Sequence, residues 1–188
     1  FANEAMMMSP ISDVAISLPE GDVKSRFDRV VDPSPFVPTD EQRREARCAE
    51  IFSIQTMGLA KRLQHTHSKR AIIGISGGLD STLALIVTVA TFDRLGLDRK
   101  GIIGVTMPGF GTTGRTYNNA LRMMEALGIT VREISIVKAC RQHFEDLGLP
   151  ETDRSVTYEN SQARERTQLL MDLANMENAL VVGTGDLS

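Results

Sequence analysis

The residues able to do chemistry fall into four groups, and the densest is Gly74-Ile75-Ser76-Gly77-Gly78-Leu79-Asp80-Ser81-Thr82. This segment follows the apolar run AIIGI and opens a helix-like stretch, which is where an anion-binding loop forms. Gly77 and Gly78 let the backbone approach phosphate oxygens closely, and the amides at a helix start point toward them. Ser76, Ser81 and Thr82 add hydroxyl donors. Asp80 would repel bare phosphate, but it makes sense as a ligand of a magnesium ion that bridges phosphates. Read as structure alone, the segment is a strand-to-helix turn with Asp80 and Ser81 as caps. The unit Ser-Gly-Gly-x-Asp-Ser favours the anion loop. It is neither a G-x-G-x-x-G dinucleotide fingerprint nor a Walker loop, which needs Gly-Lys-Ser/Thr.

A near match to the Walker pattern lies at Gly109-Phe110-Gly111-Thr112-Thr113-Gly114-Arg115-Thr116 and offers a phosphohydrolase as a rival reading. Arg115 stands where lysine is required, and a planar guanidinium fits poorly inside such a loop. The plainer alternative is a glycine-rich connection. The third group is Thr157 to Thr167, where Asn160 and Arg164 are four apart and share a helix face, as do Ser161 and Glu165 on an adjacent one. Asn160 could hydrogen-bond a polar ligand and Arg164 could hold a phosphate or carboxylate; a solvated helix start is an equally good reading of those residues alone. The fourth, Gly183-Thr184-Gly185-Asp186, ends an apolar run and reads equally well as a ligand edge or a turn. His65 and His67 read as surface residues of a polar loop, with no partner at metal-ligand spacing. Leu121, Met123 and Met124 read as helix core.

These groups need elements to hold them, and the sequence supplies alternating strands and helices. AIIGI (71–75), GIIGVTM (101–107), TVREISI (130–136) and ALVVGT (179–184) read as buried strands. Helix-like stretches lie at about 80–93, 115–127, 137–147 and 157–177, preceded by an amphipathic helix from about Asp40 to Leu63 behind a capping box at Thr39-Asp40-Glu41-Gln42. Right-handed crossovers follow, giving an α/β fold: a doubly wound, Rossmann-like parallel sheet with helices on both faces. Such sheets bind ligands at the carboxyl ends of their strands, so the loops after Ile75, Met107 and Thr184 are the places for chemistry. Ahead of this unit, Pro10, Pro19, Pro33, Pro35 and Pro38 predict an extended linker with at most one short strand near Asp13 to Leu18.

Composition narrows the classes further. The chain has 188 residues, 41% of them hydrophobic and 24% charged, which suits one globular α/β domain with some chain to spare. A net charge of −3 gives no footprint for nucleic-acid binding. Leu83 to Phe92, the longest apolar stretch, is too short for a membrane span, and no basic segment precedes the apolar residues at the N-terminus. Cys48 and Cys140 read as two reduced thiols of a cytoplasmic protein. The ends at Phe1 and Ser188 read as those of a soluble fragment.

Taken in order, SGGLDST, GVTMPGFGTTGRT, VTYENSQARERT and LVVGTGDLS resemble the synthetase domain of the glutamine-dependent NAD synthetases, within the N-type ATP pyrophosphatases. The resemblance runs from about Asp32 to Ser188. GMP synthetase and the asparagine and argininosuccinate synthetases share the first motif but not the others. The resemblance implies ATP-dependent adenylation of the carboxylate of deamido-NAD, release of pyrophosphate, and displacement of AMP by ammonia drawn from glutamine. It implies that Gly74, Ile75, Ser76, Gly77, Gly78, Leu79, Asp80 and Ser81 contact ATP, with Thr106 and Met107 by the adenine and Thr184 also on ATP. Asn160 and Arg164 would then meet deamido-NAD, and Asp80 would hold Mg²⁺. No general base is evident, and the chemistry need not have one, because a carboxylate is already nucleophilic and Mg²⁺ and loop amides stabilise charge on phosphate.

The resemblance also implies a homodimer or larger homo-oligomer and a second magnesium-binding glutamate just beyond Ser188. Residues 1–38 are expected to be a linker or the trailing edge of a nitrilase-like glutaminase domain, and 39–188 a synthetase domain truncated at its C-terminus. The 188-residue polypeptide alone is therefore expected not to turn over. A nucleotide-binding or assembly piece without activity, or a sibling amidotransferase, is the alternative reading.

Overall fold

In the computed structural model, residues 37, 40–110, 114–150 and 152–184 are described, Arg115 by its backbone alone. The chain divides into two compact units at Val37/Pro38, and apart from Val37 the described residues belong to the second. The expected linker, apart from Val37, and the strand near Asp13 to Leu18 lie outside the described residues, as do Thr39, Gly111 to Thr113 of the Walker-like glycine run, and Gly185-Asp186.

Short runs of Ile and Val covered on both sides build a parallel sheet. Its strands are β1 (Ala71–Gly74), β2 (Ile102–Thr106), β3 (Thr130–Glu133) and β4 (Leu180–Val182). All pair in parallel, in the order β3-β2-β1-β4. The helices are α1 (Glu41–Thr66), α2 (Leu79–Leu95), α3 (Gly114–Ala126), α4 (Val137–Leu147) and α5 (Val156–Glu177), with a 3-10 turn at Arg99–Gly101. Strand alternation sends Ala71, Ile73 and Ile102 to one face, against Leu63, Leu85, Phe92 and Met124. Ile72, Ile103 and Val105 go to the other, against Leu173 and Ala174 of α5. The expected parallel α/β sheet with helices on both faces is therefore present. Full burial of side chains such as Ile72, Ile73, Leu85 and Phe92 stabilises it by about 1.5–3 kcal/mol each.

Several boundaries differ from expectation. Asp40, not Thr39, caps α1, its carboxylate accepting from the amides of Gln42 (2.8 Å) and Arg43 (3.3 Å). The helix continues to Thr66, so His65 lies in its last turn, and His67 closes it in the left-handed region at φ 55°. Both histidines are exposed. β3 stops at Glu133, opposite Thr106 at the end of β2; beyond it Ile134 and Ile136 donate single amide bonds to Thr106 and Pro108, and Ile136 becomes the N-cap of α4. Glu177, at the end of α5, pairs with both Arg70 and Arg132, fastening that helix to the sheet's amino side.

The strand order sets the position of the site. From β1 the chain winds outward through β2 and β3, then returns to place β4 on β1's other side. The strand order therefore reverses between β1 and β4, and such a reversal opens a crevice at the strands' carboxyl ends.

Candidate functional site

The loop between β1 and α2 is organised by its own side chains. Ile75 extends the ladder by donating its amide to Val105 (2.8 Å). Ser76 Oγ then accepts from the Gly78 amide (3.2 Å) and lies 3.2 Å from Ser81 Oγ. The Gly78 carbonyl accepts from Ser81 Oγ (3.1 Å) and Thr82 Oγ1 (2.8 Å). Gly78 is the N-cap of α2, so Asp80 and Ser81 are not its caps. No side chain caps this end, which leaves first-turn amides without intrahelical acceptors and turned toward the crevice. Gly77 has φ +84°, and a Cβ there would overlap the carbonyl of Thr116 on α3. Only glycine fits both demands.

A cavity of about 650 Å³ opens above this loop. It brings together Gly74, Ile75, Ser76, Gly78, Asp80, Ser81, Thr106, Met107 and Thr184, from three separate parts of the sequence. Gly77 supports the loop from behind rather than lining the cavity, and Leu79 points to solvent at 83% exposed. Asn160 and Arg164 share a face of α5, as expected, but line a separate shallow groove with Ala163, Thr167 and Gln168. Thr167 borders both hollows. Sequence reasoning missed Thr116, Tyr117, Arg166, Leu170 and Met171 as lining residues. Spacing alone held part of the signal, because Leu170 falls on the same α5 face as Arg166 and its Cδ1 lies 3.0 Å from where a Gly74 Cβ would be.

The β2–α3 connection is held from a distance. Arg166 Nε donates to the Met107 carbonyl (3.3 Å), and the Phe110 amide donates to Gln162 Oε1 (3.3 Å). Beyond it lies a second cavity of about 700 Å³, in which Phe110, Phe144 and Tyr158 stand with ring centroids 5.4–6.0 Å apart and Arg154 lies over Tyr158. Arg166 borders both cavities. On the α3 side, Tyr117 donates its hydroxyl to Glu133, which raises the phenol above its ordinary pKa. Among the described residues Asp80 is the one carboxylate lining this cavity, and no group of three or more His, Cys, Asp or Glu is placed to hold a metal by itself. A carboxylate beside helix-start amides suits an octahedral cation that takes its other ligands from phosphates and water.

Known proteins share this arrangement. The family model described as NAD synthase matches residues 51–188. A glutamine-dependent NAD(+) synthetase of Mycobacterium tuberculosis is 43% identical over 180 residues, covering 94% of this chain and 26% of the relative. An NH(3)-dependent NAD(+) synthetase of Pyrobaculum aerophilum is 32% identical over 136 residues, covering 72% of this chain and 49% of the relative. The solved glutamine-dependent NAD+ synthetase of Acinetobacter baumannii, in complex with ADP, superposes with a TM-score of 0.67 at 28% identity, covering 73% of this chain and 26% of that one. The chain thus spans about a quarter of the length of the mycobacterial glutamine-dependent relatives it matches. No described helix is long and apolar enough to cross a membrane. With the loop, the crevice and the family match all falling on the same residues, the chain belongs to the NAD synthase family.

Proposed function

We propose that this chain forms the ATP- and deamido-NAD-binding part of an enzyme that amidates deamido-NAD to NAD, with ammonia supplied by glutamine in the full-length protein. The observation that carries the reading is the cavity where the Ser76–Ser81 loop, Thr106, Met107 and Thr184 converge on the carboxyl edge of a parallel sheet. In this reading the substrate carboxylate attacks the α-phosphorus of ATP. A carboxylate–phosphorus bond forms as the bond to the β-phosphate oxygen breaks, and pyrophosphate leaves. Ammonia then attacks the acyl carbon, the amide bond forms, AMP departs, and the surplus proton passes to solvent.

The first-turn amides of α2 and the hydroxyls of Ser76 and Ser81 receive the pyrophosphate charge. Thr184 holds the nucleotide from the β4 side, and Thr106 and Met107 border the adenine. Asp80 would hold Mg²⁺, which supplies charge neutralisation between the phosphates when bound. Asn160 and Arg164 offer an amide and a guanidinium to deamido-NAD from the neighbouring groove. A homodimer or larger assembly, a cytoplasmic location, and a preceding glutaminase-linked segment over residues 1–38 belong to the same reading.

The test uses the full-length protein with deamido-NAD, ATP and either ammonium or glutamine, measuring NAD and pyrophosphate. Equimolar formation of both supports the reading, and ATP consumption without NAD overturns it. Arg164→Ala should raise KM for deamido-NAD about tenfold, the loss of one charged hydrogen bond, while leaving KM for ATP nearly unchanged. Equal effects on both substrates would remove Arg164 from the deamido-NAD site.

A further inference from the structure

The α5 helix carries two pairs of polar side chains at four-residue spacing. Asn160 and Arg164 face the exposed groove, whereas Gln162 and Arg166 face inward against the Met107–Phe110 loop. Gln162 is only 7% exposed, and both halves of its amide are engaged. Oε1 accepts from the Phe110 amide, and Nε2 donates to the Tyr158 carbonyl at 3.3 Å. Those partners fix the amide orientation, since one end meets a donor and the other an acceptor. One turn later Arg166 Nε reaches the Met107 carbonyl. Between these contacts lies Gly109, where a Cβ would sit 2.7 Å from Gln162 Oε1 and 2.9 Å from Arg166 Nη2.

The other side of the loop is also tied. Thr106 and Pro108 offer their carbonyls to the amides of Ile134 (3.0 Å) and Ile136 (3.1 Å). The loop is thereby clamped between α5 and the chain leaving β3, and Met107 is laid across the end of β1, its Cε 3.2 Å from where a Gly74 Cβ would be. Met107 and Thr106 line the nucleotide cavity, but Gln162 does not; it lines the aromatic cavity on the far side of the loop.

We propose that Gln162 is a positioning residue for ATP, acting with Arg166 to hold the Met107–Phe110 loop at the edge of the nucleotide cavity. This rests on the ATP reading of that cavity. Because Gln162 lies behind the loop, its influence on nucleotide passes through backbone placement and not through contact. The neighbouring Asn160–Arg164 pair hangs on the same helix without touching the loop, so the effect should fall on one substrate.

The experiment compares Gln162→Met with Gln162→Glu in the full-length protein. Methionine keeps the length but removes the acceptor for the Phe110 amide, and glutamate keeps that acceptor. Losing one such hydrogen bond should raise KM for ATP about fivefold in Gln162→Met, with KM for deamido-NAD nearly unchanged and the melting temperature lowered by no more than about 4 °C. The Phe110 amide should exchange faster in the same variant. Gln162→Glu should recover most of the ATP affinity. If Gln162→Met does not fold, Gly109→Ala, which pushes the clamp away from the loop without removing either side chain, should show the same ATP-selective rise. An unchanged KM for ATP, an equal rise for both substrates, or a defect that glutamate shares in full would overturn the clamp while ATP dependence stayed normal. A wild-type protein whose turnover ignores ATP would overturn the nucleotide reading, and the clamp with it.

Discussion

Two glycine-containing connections border one cavity and are held in opposite ways. The β1–α2 loop is knit by Ser76, Ser81 and Thr82, all within six residues of one another, so its side-chain bonds are local and it meets α3 only where Gly77 lies against Thr116. The β2–α3 connection is bonded to α5 side chains 52 and 59 positions away and to the chain leaving β3. The first is a site that a short peptide sequence can specify, and the second exists only once the helix layer has docked. A cavity built from both combines a locally organised loop with a wall whose position depends on remote packing.

The largest effect should come from Gly77→Ala, which strikes where the self-organised loop touches α3. Positive φ and overlap with the Thr116 carbonyl together should cost on the order of 3 kcal/mol, read by urea denaturation. A loss below about 1 kcal/mol would show that α3 yields easily and that the two connections are uncoupled. Asp80→Asn separates charge from geometry. Stability should change by less than about 1 kcal/mol, because the residue is exposed and does not cap the helix, while magnesium-dependent nucleotide binding should be lost in calorimetric titration. Unchanged binding at low magnesium would remove Asp80 as the metal ligand.

Ser76→Ala should be milder, weakening the fold by about 0.5–1 kcal/mol, since water can replace the exposed partner of the Gly78 amide. Thiol labelling reads the second connection directly. Cys140 is buried beneath a cluster that Met107 packs against, and burial raises its thiol pKa, with nearby Glu165 adding to the rise. Iodoacetamide should therefore modify exposed Cys48 and spare Cys140 in the wild type, and Gly109→Ala should speed labelling of Cys140. Equal labelling of both thiols in the wild type would mean that the wall is already loose.

The smallest effect lies away from both loops. Hydrogen bonds from Arg99 hold the Asp93 carboxyl below its ordinary pKa. That lowering stabilises the fold at pH values above the unfolded carboxylate range and is lost as pH falls through the native value. Asp93→Asn should flatten the acid side of the stability curve slightly and leave both loops' readouts unchanged.

What the sequence made legible follows the same division. The alternation of apolar runs with helical periodicity placed the four strands and five helices, because those patterns reflect burial on each element's own faces. Gly74 to Ser81 was readable because its bonds are local. The roles of Thr116, Tyr117, Gln162 and Arg166 were not, since nothing in their spacing says which loop α5 or α3 will meet. The early end of β3 escaped for a similar reason: Ile134 and Ile136 are as strand-like as their neighbours, yet β2 ends at Thr106, opposite Glu133, and only two single amide bonds, to Thr106 and Pro108, follow. Asp40 displaced Thr39 as the cap of α1 by one position, a choice between two good capping residues that composition cannot make.

Gly104 in the middle of β2 has a partner in this arrangement. A Cβ there would overlap Met124 Sδ in the last turns of α3, just as one at Gly77 would overlap Thr116 in its first turn. The two contacts are eight residues apart, about 12 Å along the helix axis. α3 therefore rests like a beam on two notches, one cut into the sheet and the other into the β1–α2 loop. Its height above the crevice is gauged by atoms that are missing. Filling either notch would tilt the beam, so enlargement at Gly104 would be felt at Gly77 as a change in the loop's support.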